Sequence, residues 1–245
     1  MPREIYRIDG ADSEHFLQGL VTNDVAKLSR GLVYTAMLTP QGKYLADFFL
    51  VPAEGAILLD VDANIGASLV QRLGMYKLRA DVNIGKTALH LHRGLGTPPQ
   101  DAFADPRSEA LGWRAYREDA QPEDQHTDWD AVRVGNLIPE TGTDLTNDSY
   151  ILEMGFERLN GVDFKKGCYV GQEVTARMKH KTELRKGLVQ VTGTSSLTAG
   201  SEITSKGKPV GSILTTSGDK ALAYLRFDRA TGELEADGVT LTRTA

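Results

Sequence analysis

The sequence predicts an α+β body with antiparallel sheets, followed by a small C-terminal β-barrel. Three observations predict it. The 245 residues exceed one average domain. Helical and strand-like segments follow one another irregularly through the first part, beginning with a helix and a hairpin. Beyond residue 186 only short β-type runs recur, separated by Gly, Ser and Asp. The boundary is therefore placed between a body, 1–186, and a barrel, 187–245.

Each element has a local reason. Residues 12–20 (DSEHFLQGL at 12–20) form an amphipathic pattern with Asp12 or Ser13 as N-cap. Residues 32–39 and 44–51, rich in Val, Tyr, Thr and Phe, flank Pro40-Gln41-Gly42-Lys43 and predict a hairpin. A strand follows at 56–61, with Asp60 and Asp62 read as its end. Residues 64–74 predict a helix that Gly74 stops. Strand character returns at 80–84 and 87–93. Residues 94–110 and 120–126 read as loops. Thr127 is placed as the cap of a helix to Asn136, which Pro139 ends. The barrel strands are read at 187–192, 201–204, 209–215, 220–227 and 239–243.

Composition excludes whole classes. Forty per cent hydrophobic and 25% charged residues are ordinary globular usage, which removes disordered, collagenous and coiled-coil readings. A mean hydropathy of -0.30 and no apolar run near 18 residues leave no spanning helix. The polar first ten residues are expected to be neither secretory signal nor transit peptide. A single cysteine forbids an internal disulfide, and the expected compartment is the cytoplasm. The net charge of -5 argues against general nucleic-acid binding. It is unevenly spread: residues 101–164 carry five basic and fifteen acidic side chains, residues 165–186 seven basic and two acidic. Such a basic stretch is either a solvated face or a seat for an anion.

The segment 161–177, GVDFKKGCYVGQEVTAR, holds the chemistry. Gly167 and Gly171 bracket the only cysteine, Cys168, and glycine permits positive φ and close backbone approach. Residues 171–179 read as a helix, which sets Cys168 just before its N-terminus with Lys165 and Lys166 alongside. Both features favour thiolate, so an exposed thiol here is expected to have a lowered pKa. The other reading of the same residues is an inert cysteine buried in a tight turn.

Lys166-Gly167-Cys168-Tyr169-Val170-Gly171-Gln172-Glu173 resembles the KGCYxGQE signature of YgfZ-type folate-binding proteins, relatives of the glycine-cleavage aminomethyltransferase. The resemblance extends through residues 157–162 (ERLNGV) and 174–177 (VTAR), and through 16–25 (FLQGLVTNDV) near the start. It also takes in Asp105-Pro106-Arg107, Leu111-Gly112-Trp113-Arg114 and residues 133–145. It implies two intertwined α+β domains within the body, about 1–93 and 94–186, and a C-terminal barrel around a folate channel. It further implies a tetrahydrofolate-binding accessory protein for assembly or repair of [4Fe–4S] proteins, including tRNA-modifying enzymes. The implied cofactor is tetrahydrofolate or a derivative, reversibly bound. The implied partners are iron–sulfur assembly proteins and client enzymes, with no direct nucleic-acid and no membrane partner.

A reduced folate poses three recognition problems. Its pterin N–H groups suit a carboxylate, for which Glu153 is the candidate. Its aminobenzoyl ring needs an apolar slot, for which Tyr34, Phe48 and Tyr169 are candidates. Its anionic tail suits Arg133, Lys166 or Arg177. Only Lys166 and Tyr169 belong to the signature itself. The related aminomethyltransferases use an aspartate after the third strand, but residues 63–80 hold no carboxylate, and no GYTGE-like segment replaces residues 111–119. A folate-dependent one-carbon transferase or demethylase is therefore the alternative. A cluster takes four thiolates and the chain has one, so Cys168 is a shared ligand, a redox thiol or a nucleophile. His90 and His92 fall on one strand face without an evident third ligand, and no metal site is assigned.

Overall fold

The computed structural model describes residues 2–122, 126–181 and 183–244. The connection read at 120–126 lies partly outside them, as does the Lys181 side chain of the basic stretch. The chain groups into two compact units, Met1–Glu123 with Glu157–Val174, and Asp124–Phe156 with Thr175–Ala245. These lines differ from divisions at 93 and 186, because residues 124–156 group with the barrel.

The first unit contains β1 (Arg3–Asp9), α1 (Ser13–Gln18), a 3-10 helix (Val25–Arg30), β2 (Val33–Leu38), β3 (Tyr44–Ala53), β4 (Ala56–Asp62) and α2 (Ala63–Lys77). It continues with β5 (Asn83–Lys86), β6 (His90–Gly94), β7 (Phe103–Ala104) and β8 (Trp113–Arg117). An antiparallel sheet runs β2-β3-β4-β1-β5, and a second, three-stranded sheet runs β6-β8-β7. All six positions of β2 are buried, as are all but the first of β4, so both faces of this sheet are covered. On one face Ile8, Val33, Phe48, Leu50, Leu59 and Val61 pack on Phe16, Leu17, Leu69 and Leu73 of α1 and α2. Strand alternation sends Tyr34, Phe49 and Asp60 to the other face.

Local details depart from the sequence reading. The Asp12 carboxylate accepts Asp81 N at 2.8 Å and caps nothing in α1, which is shorter than expected. Asp62 does close β4, and accepts Asn64 N at 2.9 Å as the cap of α2, but Asp60 lies inside the strand. Helix α2 runs three residues past Gly74 to Lys77, because one helical glycine costs only about 1 kcal/mol against alanine.

The second unit contains α3 (Trp129–Gly135), most of α4 (Gln172–Lys181), and the strands β9 (Lys186–Gly193), β10 (Glu202–Ser205), β11 (Lys208–Ser217), β12 (Lys220–Arg226), β13 (Leu234–Ala236) and β14 (Val239–Arg243). The strands close into a barrel in the order β10-β11-β12-β9-β14-β13, which leaves no open edge. Val189, Val191, Ile203, Ile213, Leu225 and Leu241 fill it. Three-residue β13 is too short to show a strand pattern and is absent from the sequence reading. Asp128, not Thr127, caps α3 by accepting Ala131 N at 2.9 Å.

Residues 126–156 join the barrel through hydrogen bonds. Leu188 N donates to Glu153 O at 2.8 Å, and Gln190 Nε2 donates to Val134 O at 2.9 Å. The β11–β12 register shifts between Ile213 and Thr216. This irregularity turns Thr215 N towards Asp144 Oδ1, to which it donates at 3.0 Å.

Candidate functional site

The site is built on the first unit, where sequence blocks far apart in the chain converge on the cysteine loop. The chain leaves α1 into Thr22 and Asn23, both buried. Thr22 Oγ1 donates to Gly161 O at 2.7 Å, and Asn23 Nδ2 donates to Asn160 O at 2.6 Å and Tyr34 O at 2.8 Å. Asp163 N donates to Thr22 O at 3.0 Å. The Asp163 carboxylate then accepts the backbone N–H of Lys165 (2.7 Å) and of Lys166 (3.2 Å) and pairs with Lys27 at 2.7 Å. The hydrogen bond and charge of Lys27 hold its pKa below the ordinary aspartate value. The entrance of the loop is thus fixed before the cysteine is reached.

Lys166 does not lie open beside the thiol. It is buried, and its Nζ donates to two backbone carbonyls, Gln18 O at 2.7 Å and Val21 O at 2.5 Å. It also lies 5.1 Å from the centroid of buried Tyr169. Burial lowers its pKa to about 8, against the opposing pull of Asp24 and Asp163. The sign of the pH effect follows. Between about 8 and the unfolded value near 10.5, the unfolded chain holds the extra proton, so this group makes stability rise with pH. Urea midpoints measured across that window should rise more in the wild type than in Lys166→Met, which lacks the proton.

The loop's exit is fixed by shape. Gly171 has φ +85°, and a Cβ there would stand 2.6 Å from Thr39 O and 3.0 Å from Leu38 Cβ. Gly42, at φ +75° in the β2–β3 turn, faces it, and its own Cβ would meet Val174 Cβ at 2.8 Å. The hairpin turn and the start of α4 therefore touch backbone to backbone. Gly167 meets nothing within 4 Å. Gly171→Ala is expected to cost about 1–3 kcal/mol in backbone strain alone, and Gly167→Ala about 0.5 kcal/mol or less. Urea denaturation of the two variants checks the contrast.

Between these anchors Cys168 is exposed. The reading of an inert buried cysteine gives way to a thiol in solvent, held four residues before α4. Gln172 is half-buried, Glu173 and Arg177 are exposed on α4, and Phe48 is fully buried core.

Three candidates read from the sequence have their side-chain polar groups occupied within the protein. Tyr34 is fully buried and its hydroxyl donates to Asp47 Oδ2 at 2.9 Å. Burial and the Asp47 charge push its pKa well above the ordinary value, so it stays a donor. Arg133 is a structural ion-pair centre, not an open carboxylate receptor. Its guanidinium donates to Asp144 Oδ2 (2.9 Å), Asp130 Oδ1 (2.8 Å) and Thr215 Oγ1 (3.1 Å). The Glu153 carboxylate accepts the Tyr224 hydroxyl, whose pKa rises through burial and that bond. Both residues belong to the second unit, with the barrel. His92 is buried, with Nε2 at 2.6 Å from Asp119 O.

The sequence reading missed a buried charge network on the polar face of the five-stranded sheet. Asp60 is fully buried. Its Oδ1 accepts Arg3 Nε at 2.6 Å, and its Oδ2 accepts Arg114 Nη2 at 2.5 Å and Tyr116 Oη at 2.8 Å. Burial alone would raise its pKa, but Arg3 and Arg114 overcome that and hold it at about 2. Asp105 accepts both Arg107 and Arg114, and those two guanidiniums lie 4.8 and 4.0 Å from the Phe49 ring centroid. With both oxygens occupied and its proton so weakly held, Asp60 is an ion-pair partner and not a general base. The available signal was a charge inside the apolar run AILLDV, which demands a buried partner.

The model of the CAF17 C-terminal β-barrel domain matches residues 185–245. The mitochondrial iron–sulfur cluster assembly factor IBA57 of Mus musculus is 31% identical over 95% of this chain and 78% of its own length. The Homo sapiens counterpart is 29% identical over the same shares. The IBA57 homologue of Mycosarcoma maydis, also mitochondrial, is 33% identical over 76% of this chain, which spans only 54% of that relative. The crystal structure of aminomethyltransferase T of the Bartonella henselae glycine cleavage system superposes over 99% of this chain and 83% of its own, with a TM-score of 0.78 at 16% identity. It shows an aminomethyltransferase-like fold. The mitochondrial relatives overturn the cytoplasmic placement drawn from the single cysteine, since low cysteine usage does not distinguish reducing compartments.

Proposed function

The chain belongs to the IBA57 family of iron–sulfur cluster assembly factors, and on that premise we propose that it is a tetrahydrofolate-binding accessory protein for assembly or repair of iron–sulfur proteins. Its clients are [4Fe–4S] enzymes, tRNA-modifying ones among them. The observation that carries the reading is an exposed thiol, Cys168, on a loop anchored at entrance and exit. Such an arrangement presents one sulfur at a fixed place. One thiolate completes a cluster only with thiolates from another chain, so the work is done with a partner. The folate part of the proposal rests on the resemblance of residues 166–173 to the YgfZ-type signature. Cations on α4, Arg177 among them, suit an anionic tail.

Deletion of the gene should lower [4Fe–4S] enzyme activities, and this chain should restore them. Undiminished activities in the deletion strain would refute the assembly role. Calorimetry with tetrahydrofolate and folinic acid tests the cofactor separately. Heat of binding without turnover of small amine donors is expected, and no heat at high micromolar ligand would remove folate from the proposal.

A further inference from the structure

Helix α2 ends in a feature that the cysteine loop does not use. Met75 is 62% exposed, Tyr76 38% and Leu78 89%, and they stand together at the end of this helix. Leu78 has φ 47° and ψ -105°, a left-handed backbone that a branched side chain tolerates poorly. A strained backbone here holds a leucine out in water, where it gains no packing. Folding stability alone favours glycine at such a position. The helix itself carries cations, with exposed Asp81 following next in the chain and bonded through its backbone to Asp12. Residues 63–80 include Arg72, Lys77 and Arg79 and no carboxylate, on a chain of net charge -5.

We propose that this tip is a peripheral membrane anchor that inserts Leu78, Met75 and Tyr76 among anionic lipids while Arg72, Lys77 and Arg79 meet the headgroups. Exposure and the helix cations favour lipid over a protein partner. Gly74 beside the three apolar side chains has open space around it. A stable protein interface takes about 800 Å² from each partner, more than three side chains offer, and needs a pocket shaped to receive them. A lipid surface deforms around an exposed leucine, and its negative charge complements the cations. The sequence alone suggested no membrane partner, and among the described residues no helix is long and apolar enough to cross a membrane. The contact inferred is therefore a surface one.

The test is co-sedimentation of the full chain with vesicles of phosphatidylcholine alone and of phosphatidylcholine with phosphatidylglycerol in equal parts. Binding is expected to the mixed vesicles only, and to weaken with salt. Leu78→Gly should lower it at least about tenfold, while its urea midpoint holds or rises because glycine accepts this backbone. Lys77→Gln and Arg79→Gln should each lower binding about fivefold. Failure of the wild type to bind mixed vesicles would overturn the proposal. So would equal binding to both vesicles, or binding indifferent to Leu78→Gly. A concentration-dependent dimer abolished by Leu78→Gly, without vesicle binding, would assign the tip to a second copy of the chain instead.

Discussion

Arg114→Leu is expected to cost about 3–5 kcal/mol of stability, a large part of the 5–15 kcal/mol that holds most domains folded. The reason is what it leaves behind. Asp60 and Asp105 are both buried, and Arg114 is a partner of each, at 2.5 and 3.3 Å. A leucine restores apolar volume over the Phe49 ring but strands two carboxylates, whose remaining cationic partners are Arg3 and Arg107 while Asp60 keeps the Tyr116 hydroxyl. Arg114→Leu combined with Asp60→Asn should recover part of the loss, because the stranded charge goes with its partner. The pH dependence has a definite sign. Asp60 titrates at about 2 in the fold, against about 4 in an unfolded chain. Its ion pairs are fully stabilising above about 4, and that contribution is lost as pH falls towards 2. Urea unfolding at neutral pH and at pH steps down that window measures both effects. A loss below about 1 kcal/mol for Arg114→Leu would mean that water reaches Asp60 and that the network is not a dry one.

That network also marks where sequence reading stopped. Hairpin β2–β3, strand β4, helix α2 and most barrel strands follow from apolar periodicity and turn residues, which are local signals. The signature residues 166–173 were legible as a unit. The partners of Lys166 were not, since Gln18 and Val21 lie about 145 positions away and act through backbone carbonyls, which carry no sequence mark. Lysine beside cysteine suggested electrostatic activation, whereas the fold turns the ammonium away into a clasp. Strand β8 went unread although Arg114 and Tyr116 alternate within Trp113–Arg117, because two polar residues on one face resemble a solvent-facing edge. The same ambiguity surrounds Arg133, Glu153 and Tyr34, whose polar groups meet other side chains of the protein. A polar residue in an apolar context signals a buried partner and does not say whether that partner is a ligand or another side chain.

Cys168→Ala separates these two kinds of role most sharply. The thiol is exposed and sits on a loop whose anchors are Lys166, Tyr169, Asp163 and Gly171, so its removal should leave the urea midpoint within about 0.5 kcal/mol of the wild type. Complementation of the deletion strain by Cys168→Ala should nevertheless fail, with [4Fe–4S] enzyme activities at the level of the empty vector. A serine at the same position should fail as well, because a hydroxyl is too weak an acid to replace a thiolate as cluster ligand or nucleophile. Lys166→Met supplies the contrasting case. It retains the sulfur but leaves Gln18 O and Val21 O without their ammonium donor, so amides at 163–172 should exchange faster and rescue should be partial. Full rescue by Cys168→Ala would make the loop architecture alone, with its lysine clasp and glycine contact, the functional element. Failed rescue by a variant that folds as well as the wild type leaves only the sulfur itself to account for the loss.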